Sequence, residues 1–130
     1  MCNYVLYSDD FGANWKVLGG TDNAPIPSGA DEPKAEELPD GSVVISSRCN
    51  GGRYYNVYSF TSAKKAEGSW GTVAFSGKNN NGVTAEGNSC NGEIMILPVT
   101  RRADNKPLYL ALQALPFGSG RANVGVYYKE

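Results

Sequence analysis

Glu32 and Arg48 are the two residues whose types and spacing best suit chemistry. Asp40 stands eight residues after Glu32 and eight before Arg48, at the centre of the turn signal Pro39-Asp40-Gly41. Proline presets φ, Asp-Gly tolerates the positive φ of a tight hairpin, and short apolar segments flank the turn. The sequence therefore predicts two antiparallel strands whose open end places Glu32 across from Arg48. A carboxylate and a guanidinium there form either a plain ion pair or part of an anion-binding catalytic site.

The composition limits both the fold and the partners. The chain of 130 residues makes at most one ordinary domain, and its 16 Gly, 7 Pro and 8 Tyr among short apolar runs indicate an all-β protein with frequent turns. A net charge of −1 without a basic run gives no electrostatic support for a nucleic-acid partner. No stretch approaches the roughly 20 apolar residues of a membrane span, and no signal peptide is recognisable.

Several catalytic and metal-binding classes are excluded by residue type. The chain contains no histidine, so neither a Ser-His-Asp triad nor a Cys-His pair can form within it. Its three cysteines, Cys2, Cys49 and Cys90, lack CxxC spacing, which predicts neither a zinc site nor a complete disulfide framework. Calcium loops of EF-hand spacing are absent as well. We therefore expect no metal and no cofactor.

The spacing of apolar runs and turns predicts a series of antiparallel four-stranded units. A helical turn is expected within 61–68, and the predicted strands are 3–7, 15–18, 34–38, 43–48, 54–60, 70–75, 93–99, 107–114 and 122–128. Residues 1–19 then end one unit, 32–76 form a whole unit, and 92–130 hold most of a third. Repeated units of this kind are typical of a β-propeller, although a sandwich remains possible on strand count alone.

The turn between the first two predicted strands carries the pattern Ser-x-Asp-x-Gly-x-x-Trp, formed by Ser8, Asp10, Gly12 and Trp15. Asp10 can accept backbone N–H groups across the turn, Gly12 suits a conformation that other residues avoid, and Trp15 can pack between blades. The segment resembles the Asp-box of sialidases and other propeller proteins. That motif is structural and lies away from the active site, so it favours the fold and says little about activity.

Three further segments resemble the bacterial exo-α-sialidases, secreted enzymes with a six-bladed propeller fold. The segment from Glu32 to Arg48 looks like the element that carries an activating glutamate and the second arginine of the triarginyl cluster. The segment from Gly120 to Tyr127 resembles the element of the third arginine, here Arg121. The segment from Asn88 to Pro98 is similar to the family's Cys-x-Gly strand start. The resemblance covers nearly the whole chain, in the family's order.

The resemblance implies a role for each candidate site residue. Arg48 and Arg121 would bind the carboxylate of sialic acid, because a guanidinium fork matches that planar group and keeps its charge. Glu32 would be the general base for a tyrosine nucleophile, an exception to the two-carboxylate scheme of glycosidases. Asn88 and Asn123 could contact sugar hydroxyls or orient an arginine, although loop asparagines are usually turn formers. Alternating strand direction puts Glu32, Arg48 and Arg121 on one rim, opposite the Asp-box turn.

The chain also departs from the family. A first arginine, an acid/base aspartate and a nucleophilic tyrosine at the family's positions match nothing in this sequence. The resemblance thus implies a partial exo-α-sialidase of about two and a quarter blades, inactive alone. Its partners would be sialylated glycans and the remaining blades of a secreted, periplasmic or cell-surface protein. Two other interpretations stay open: a non-catalytic module that binds an acidic sugar, and a scaffold propeller that merely shares the Asp-box.

The remaining charged and aromatic residues are predicted to serve the fold. Glu36 and Glu37 are expected to face solvent along their strand. The arginines at 53, 101 and 102 are expected to be loop charges. Tyrosines that alternate within the predicted strands are expected to pack rather than to act as nucleophiles; they are Tyr54, Tyr55, Tyr58, Tyr109, Tyr127 and Tyr128.

Overall fold

The computed structural model describes residues 2–77, 91–116 and 124–130. This part of the chain is all-β, as predicted, with every strand pair antiparallel and one 3₁₀ turn at Ala63–Lys65 inside the expected helical turn. No helix among these residues is long and apolar enough to cross a bilayer. The strands are β1 Leu6–Tyr7, β2 Lys16–Val17, β3 Asp31–Glu37, β4 Val43–Cys49, β5 Gly52–Ser62, β6 Glu67–Trp70, β7 Ala74–Gly77, β8 Ile94–Arg101, β9 Lys106–Pro116 and β10 Val124–Lys129.

The central sheet is a meander of β3, β4 and β5, completed by two short strands. Both β6 and β7 pair with β5, the first along 58–62 and the second along 52–55. They therefore share one position beside β5, and the sheet has four positions across. The single strand predicted at 70–75 is corrected to these two, because the chain leaves the ladder at 71–73, where Gly71 N–H still donates to Val57 O at 2.9 Å.

The hairpin between β3 and β4 forms about the predicted turn. Gly41 has a φ of +83°, and its N–H donates to Leu38 O at 2.8 Å. Asp40 Oδ1 accepts the Ser42 hydroxyl at 2.5 Å and the Ser42 N–H at 3.0 Å. These two hydrogen bonds hold the pKa of Asp40 below its ordinary value. The turn is thus a three-residue loop that ends in a left-handed glycine, a common hairpin form.

The central sheet is covered on both faces. On one face, Ile26 and Ala30 of the amino-terminal segment pack against Ile45 and Cys49 of β4 to form the apolar core. On the other face, Ser46 and Tyr55 contact Gln113 of β9, which belongs to a second sheet with the order β10-β9-β8. Side chains alternate between the faces of a strand, so neighbouring residues of β4 serve different layers. Three successive parts of the chain therefore stack in sequence order.

Candidate functional site

Glu32 and Arg48 meet at the open end of the β3–β4 hairpin. Arg48 Nη1 lies 3.1 Å from Glu32 Oε1, and Arg48 Nε lies 3.8 Å from Asp31 Oδ1. The side chains of Arg48 and Glu32 are 28% and 39% exposed, so the pair is open to solvent. An exposed ion pair contributes only about 0–1 kcal/mol to stability. The pair therefore contributes little to stability.

A β-bulge determines how the two side chains meet. A regular hairpin about Asp40 would make Glu32 the direct partner of Arg48. The observed Cα partner of Arg48 is Asp31. The register shifts between Asp31 and Lys34, where Glu32 and Pro33 together oppose a single residue of β4. Proline has no N–H to give to a ladder and suits such a position. The predicted pair is formed, but through a bulge rather than through regular register.

Glu32 is held in an unfavourable backbone conformation. Its φ is +46°, in the left-handed region that costs an L-residue roughly 1–2 kcal/mol. The other described non-glycine residues with positive φ, Phe11, Ala66 and Asn105, all lie in turns. Residues strained in this way concentrate at functional sites. The strain at Glu32 therefore points to the same place as the exposed ion pair.

Arg53 lies beside Arg48 in a position that differs from its prediction. It was predicted to be a loop charge, but it lies in β5 as the Cα partner of Arg48 and is only 1% exposed. Its Nε donates to Ser46 Oγ at 2.8 Å, and its Nη2 lies 3.3 Å from Ser46 O and 3.4 Å from Gly92 O. Burial lowers the pKa of Arg53 from its ordinary value. Arg53 thus ties the central sheet to the segment that leads into β8.

A signal for Arg53 was present in the sequence. Asn50-Gly51 is a two-residue hairpin signal of the kind that favours positive φ, and Gly51 has a φ of +80°. Counting outward from that dipeptide pairs Cys49 with Gly52 and Arg48 with Arg53, which is the observed register. The burial of Arg53 had no such signal, because it depends on the second sheet.

Tyr55 and Gln113 extend the polar contact between the sheets. The Tyr55 hydroxyl donates to Gln113 Oε1 at 3.3 Å, and Gln113 Nε2 donates to Glu93 O at 2.7 Å. The pKa of Tyr55 lies above its ordinary value because burial outweighs the opposing effect of the nearby Arg53 charge. Tyr55 is thus part of the contact between the two sheets. Lys34 Nζ adds a further link between the layers, 3.0 Å from Glu93 Oε2.

The segment that resembles an Asp-box forms a compact turn between β1 and β2. Asp10 Oδ1 accepts the Asn14 N–H at 2.8 Å, and Asp10 Oδ2 accepts Asn14 Nδ2 at 2.6 Å. Ser8 Oγ donates to Asp10 Oδ1 at 2.8 Å and accepts the Gly12 N–H at 2.7 Å. The Asn14 side chain, the Asn14 N–H and Ser8, in that order, lower the pKa of Asp10 from 3.8 to about 2. Trp15 is 63% exposed, so the expected packing between blades is not seen in the described chain.

Other predicted residues fall into two groups. Arg121, Asn88, Asn123 and Cys90 lie outside the described residues. Cys2 is exposed and Cys49 is buried, and both are free thiols; burial raises the pKa of Cys49. Within 2–77, 91–116 and 124–130, no group of His, Cys, Asp and Glu side chains is arranged to hold a metal ion.

The remaining charged residues and tyrosines differ in how exposed they are. Glu37 is exposed as predicted, but Glu36 is half-buried. Arg101 ends β8 and binds Asp104 at 2.9 Å and Glu130 at 3.2 Å, so it is a strand-end charge. Tyr58 is 1% exposed and packs, whereas Tyr109 and Tyr128 are exposed.

No family model, curated protein or solved structure matches this chain. Any functional assignment therefore depends on the residues of the site and on their geometry.

Proposed function

We propose that this chain is part of an exo-α-sialidase, a glycoside hydrolase that releases terminal sialic acid from glycoconjugates. In this proposal Arg48 and Arg121 bind the sugar carboxylate, and Glu32 activates a tyrosine nucleophile supplied by another part of the propeller. The observation that carries the proposal is Glu32, which is strained at φ +46° in a bulge and lies 3.1 Å from Arg48. A carboxylate on a strained residue, beside a partly exposed guanidinium, is better suited to substrate than to stability.

The local charge supports a site with more than one arginine. Asp31 and Glu32 place two carboxylates beside the partly exposed guanidinium of Arg48. An anionic sugar would be repelled unless further positive charge lies nearby. Arg53, buried one strand away and within Coulombic range of Glu32, supplies part of that charge. The guanidinium proposed for Arg121 would supply the fork that completes binding of a carboxylate.

The stacking of the sheets supports a propeller over a sandwich. A sandwich has two layers, whereas here the central sheet is covered on both faces by successive parts of the chain. Each of the two larger sheets is a meander of neighbouring strands, the topology of a propeller blade. The Asp-box turn between β1 and β2 is consistent with the end of a preceding blade. We therefore propose about two and a quarter blades, with the remaining blades as the partners of this chain.

Hydrolysis of a fluorogenic α-sialoside tests the proposed activity. The 130-residue chain should give no turnover, because the nucleophile and the acid/base group are not within it. A longer protein that includes this chain and supplies both groups should hydrolyse the sialoside with net retention. In that protein Glu32→Gln and Arg48→Lys should lower kcat/KM strongly. The control is Arg102→Lys, which changes an exposed arginine of the β8–β9 hairpin and should leave kcat/KM unchanged.

The outcomes separate the proposal from its alternatives. Robust turnover by the 130-residue chain would overturn the assigned roles. A longer protein that binds sialic acid through Arg48 without turnover would instead be a non-catalytic acidic-sugar module. Failure both to bind and to hydrolyse would leave a scaffold as the function.

A further inference from the structure

The tripeptide Cys-Asn-Gly occurs twice in the chain, at 49–51 and at 90–92. In an Asn-Gly dipeptide the asparagine side chain reacts readily with the following backbone nitrogen, because glycine has no side chain to hinder the approach. The two copies are identical in the residues that take part in this reaction. A difference between them in the folded protein must therefore come from the surrounding structure.

The first copy lies in an open turn. Asn50 is exposed, and Gly51 follows it with a φ of +80° in the two-residue loop that joins β4 to β5. A Cβ built at Gly51 would meet nothing within 4 Å, so there is space beside its backbone nitrogen. Among the residues that the structure describes, no hydrogen bond holds the Asn50 side-chain amide or the Gly51 N–H. The two groups can therefore approach each other.

The second copy is held in place by packing. Gly92 is buried, and a Cβ there would clash with Ala114 O, so its backbone lies directly against β9. Its carbonyl oxygen accepts Arg53 Nη2 at 3.4 Å, and the carbonyl of Glu93 accepts the Ala114 N–H at 3.0 Å. Movement of the Gly92 nitrogen toward the Asn91 side chain would disturb these contacts. Asn91 can therefore react only when this segment opens.

We propose that Asn50 is a site of spontaneous deamidation, which the fold selects over Asn91. The backbone nitrogen of Gly51 attacks Cγ of Asn50, and the new C–N bond closes a five-membered succinimide ring. The side-chain nitrogen takes the proton of the attacking amide and leaves as ammonia. Water then opens the ring to an aspartate or an isoaspartate. The net reaction converts an amide and water into a carboxylate and an ammonium ion, without oxidation or reduction.

The reaction changes the charge and the backbone close to Arg48. It adds one negative charge two residues along the chain from an arginine that already contacts Asp31 and Glu32. The isoaspartate product also adds a methylene to the main chain of the loop that sets the β4–β5 register. Neither change depends on the proposed glycosidase activity.

Peptide mapping by mass spectrometry measures the two sites separately. The folded 130-residue chain is incubated with a thiol reductant at mildly alkaline pH and sampled over time. Trypsin releases Asn50 within 49–53, and a glutamate-specific protease releases Asn91 within 87–93, where fragment ions distinguish it from Asn88. Neither peptide contains the third Asn-Gly, at 81–82, which lies outside the described residues. Asn50 should deamidate at least about tenfold faster than Asn91, which must wait for local opening.

The same chain incubated in urea is the control for selection by the fold. Unfolding removes the packing around Gly92, so Asn50 and Asn91 should then react at similar rates. Two results would overturn the proposal. One is an equal rate at the two sites in the folded chain, and the other is an Asn50 that reacts in urea but not in the folded chain.

Gly51→Ala tests the attacking group. A methyl group at position 51 hinders the backbone nitrogen, whereas the fold has room for it and the positive φ costs roughly 1–2 kcal/mol. The variant should keep the circular dichroism spectrum of the unmodified chain. Its Asn50 should deamidate several times more slowly, and the rate at Asn91 should not change. An unchanged rate at Asn50 would contradict attack by the Gly51 nitrogen.

Discussion

Arg48 and Arg53 are directly opposite each other on β4 and β5, but their guanidinium groups lie in different surroundings. Arg48 is partly exposed and touches two carboxylates, whereas Arg53 is buried and donates to the oxygens of Ser46 and Gly92. Arg53 joins the central sheet to the segment that leads into β8, at a position next to Arg48. We infer that Arg53 serves stability and position, and that Arg48 is the group available to a ligand.

Replacing Arg53 should destabilise the protein strongly. Arg53→Met removes the buried donors that reach the oxygens of Ser46 and Gly92, so we expect a loss of about 3 kcal/mol in the free energy of unfolding. Arg102→Met, at an exposed hairpin position, should change it by less than about 0.5 kcal/mol. Urea denaturation measures both. Equal stabilities of the two variants would show that Arg53 does not hold the sheets.

Two adjacent glycines provide a matched test of the packing around Trp70. Gly19 and Gly20 have φ of +80° and +79°, so alanine at either position is strained by roughly 1–2 kcal/mol. A Cβ at Gly19 would lie 2.7 Å from the Trp70 ring, whereas one at Gly20 would meet nothing within 4 Å. Gly19→Ala should therefore be less stable than Gly20→Ala by at least about 1 kcal/mol in urea denaturation. Identical losses would contradict the described contact with Trp70.

The carboxylate of Asp10 should make the stability of the protein depend on pH in the acid range. The pKa of Asp10 falls from 3.8 to about 2 on folding. A depressed pKa contributes stability above pH 3.8, and this stability is lost as the pH falls through about 2. The difference in melting temperature between the unmodified chain and Asp10→Ala should thus be constant near neutral pH and shrink below pH 3.8.

A control for the acid dependence is Asn23→Ala, which changes an exposed loop side chain that does not titrate. Its difference in melting temperature from the unmodified chain should not vary over the same pH range. A loss for Asp10→Ala that stays the same into acid would show that the carboxylate charge is not involved.

The strain at Glu32 can be measured by comparing two substitutions that both remove the carboxylate. Glu32→Gly relieves the positive φ, whereas Glu32→Ala retains it. Glu32→Gly should be more stable than Glu32→Ala by about 1 kcal/mol in urea denaturation. If Glu32→Ala proves equally stable, the bulge does not strain this residue, and one support for the proposed site is lost.

Turn chemistry explains which parts of this structure could be predicted. Pro39-Asp40-Gly41 fixed a hairpin and brought Glu32 to Arg48, because a turn dictates register over the next several residues. The bulge could not be found in this way, since it depends on the backbone of Glu32 and on the missing N–H of Pro33. Arg53 was misassigned because its burial comes from a sheet far along the chain.

Binding of N-acetylneuraminic acid to the 130-residue chain tests the central claim most directly. We expect the acid to shift the side-chain Nε–H resonance of Arg48 in a nitrogen–proton NMR spectrum, because a guanidinium fork binds the sugar carboxylate. The methyl ester, which has no carboxylate charge, should produce no shift, and Arg48→Lys should abolish binding of the acid. No response to the acid, or an equal response to the ester, would contradict a site built to recognise a sialic acid.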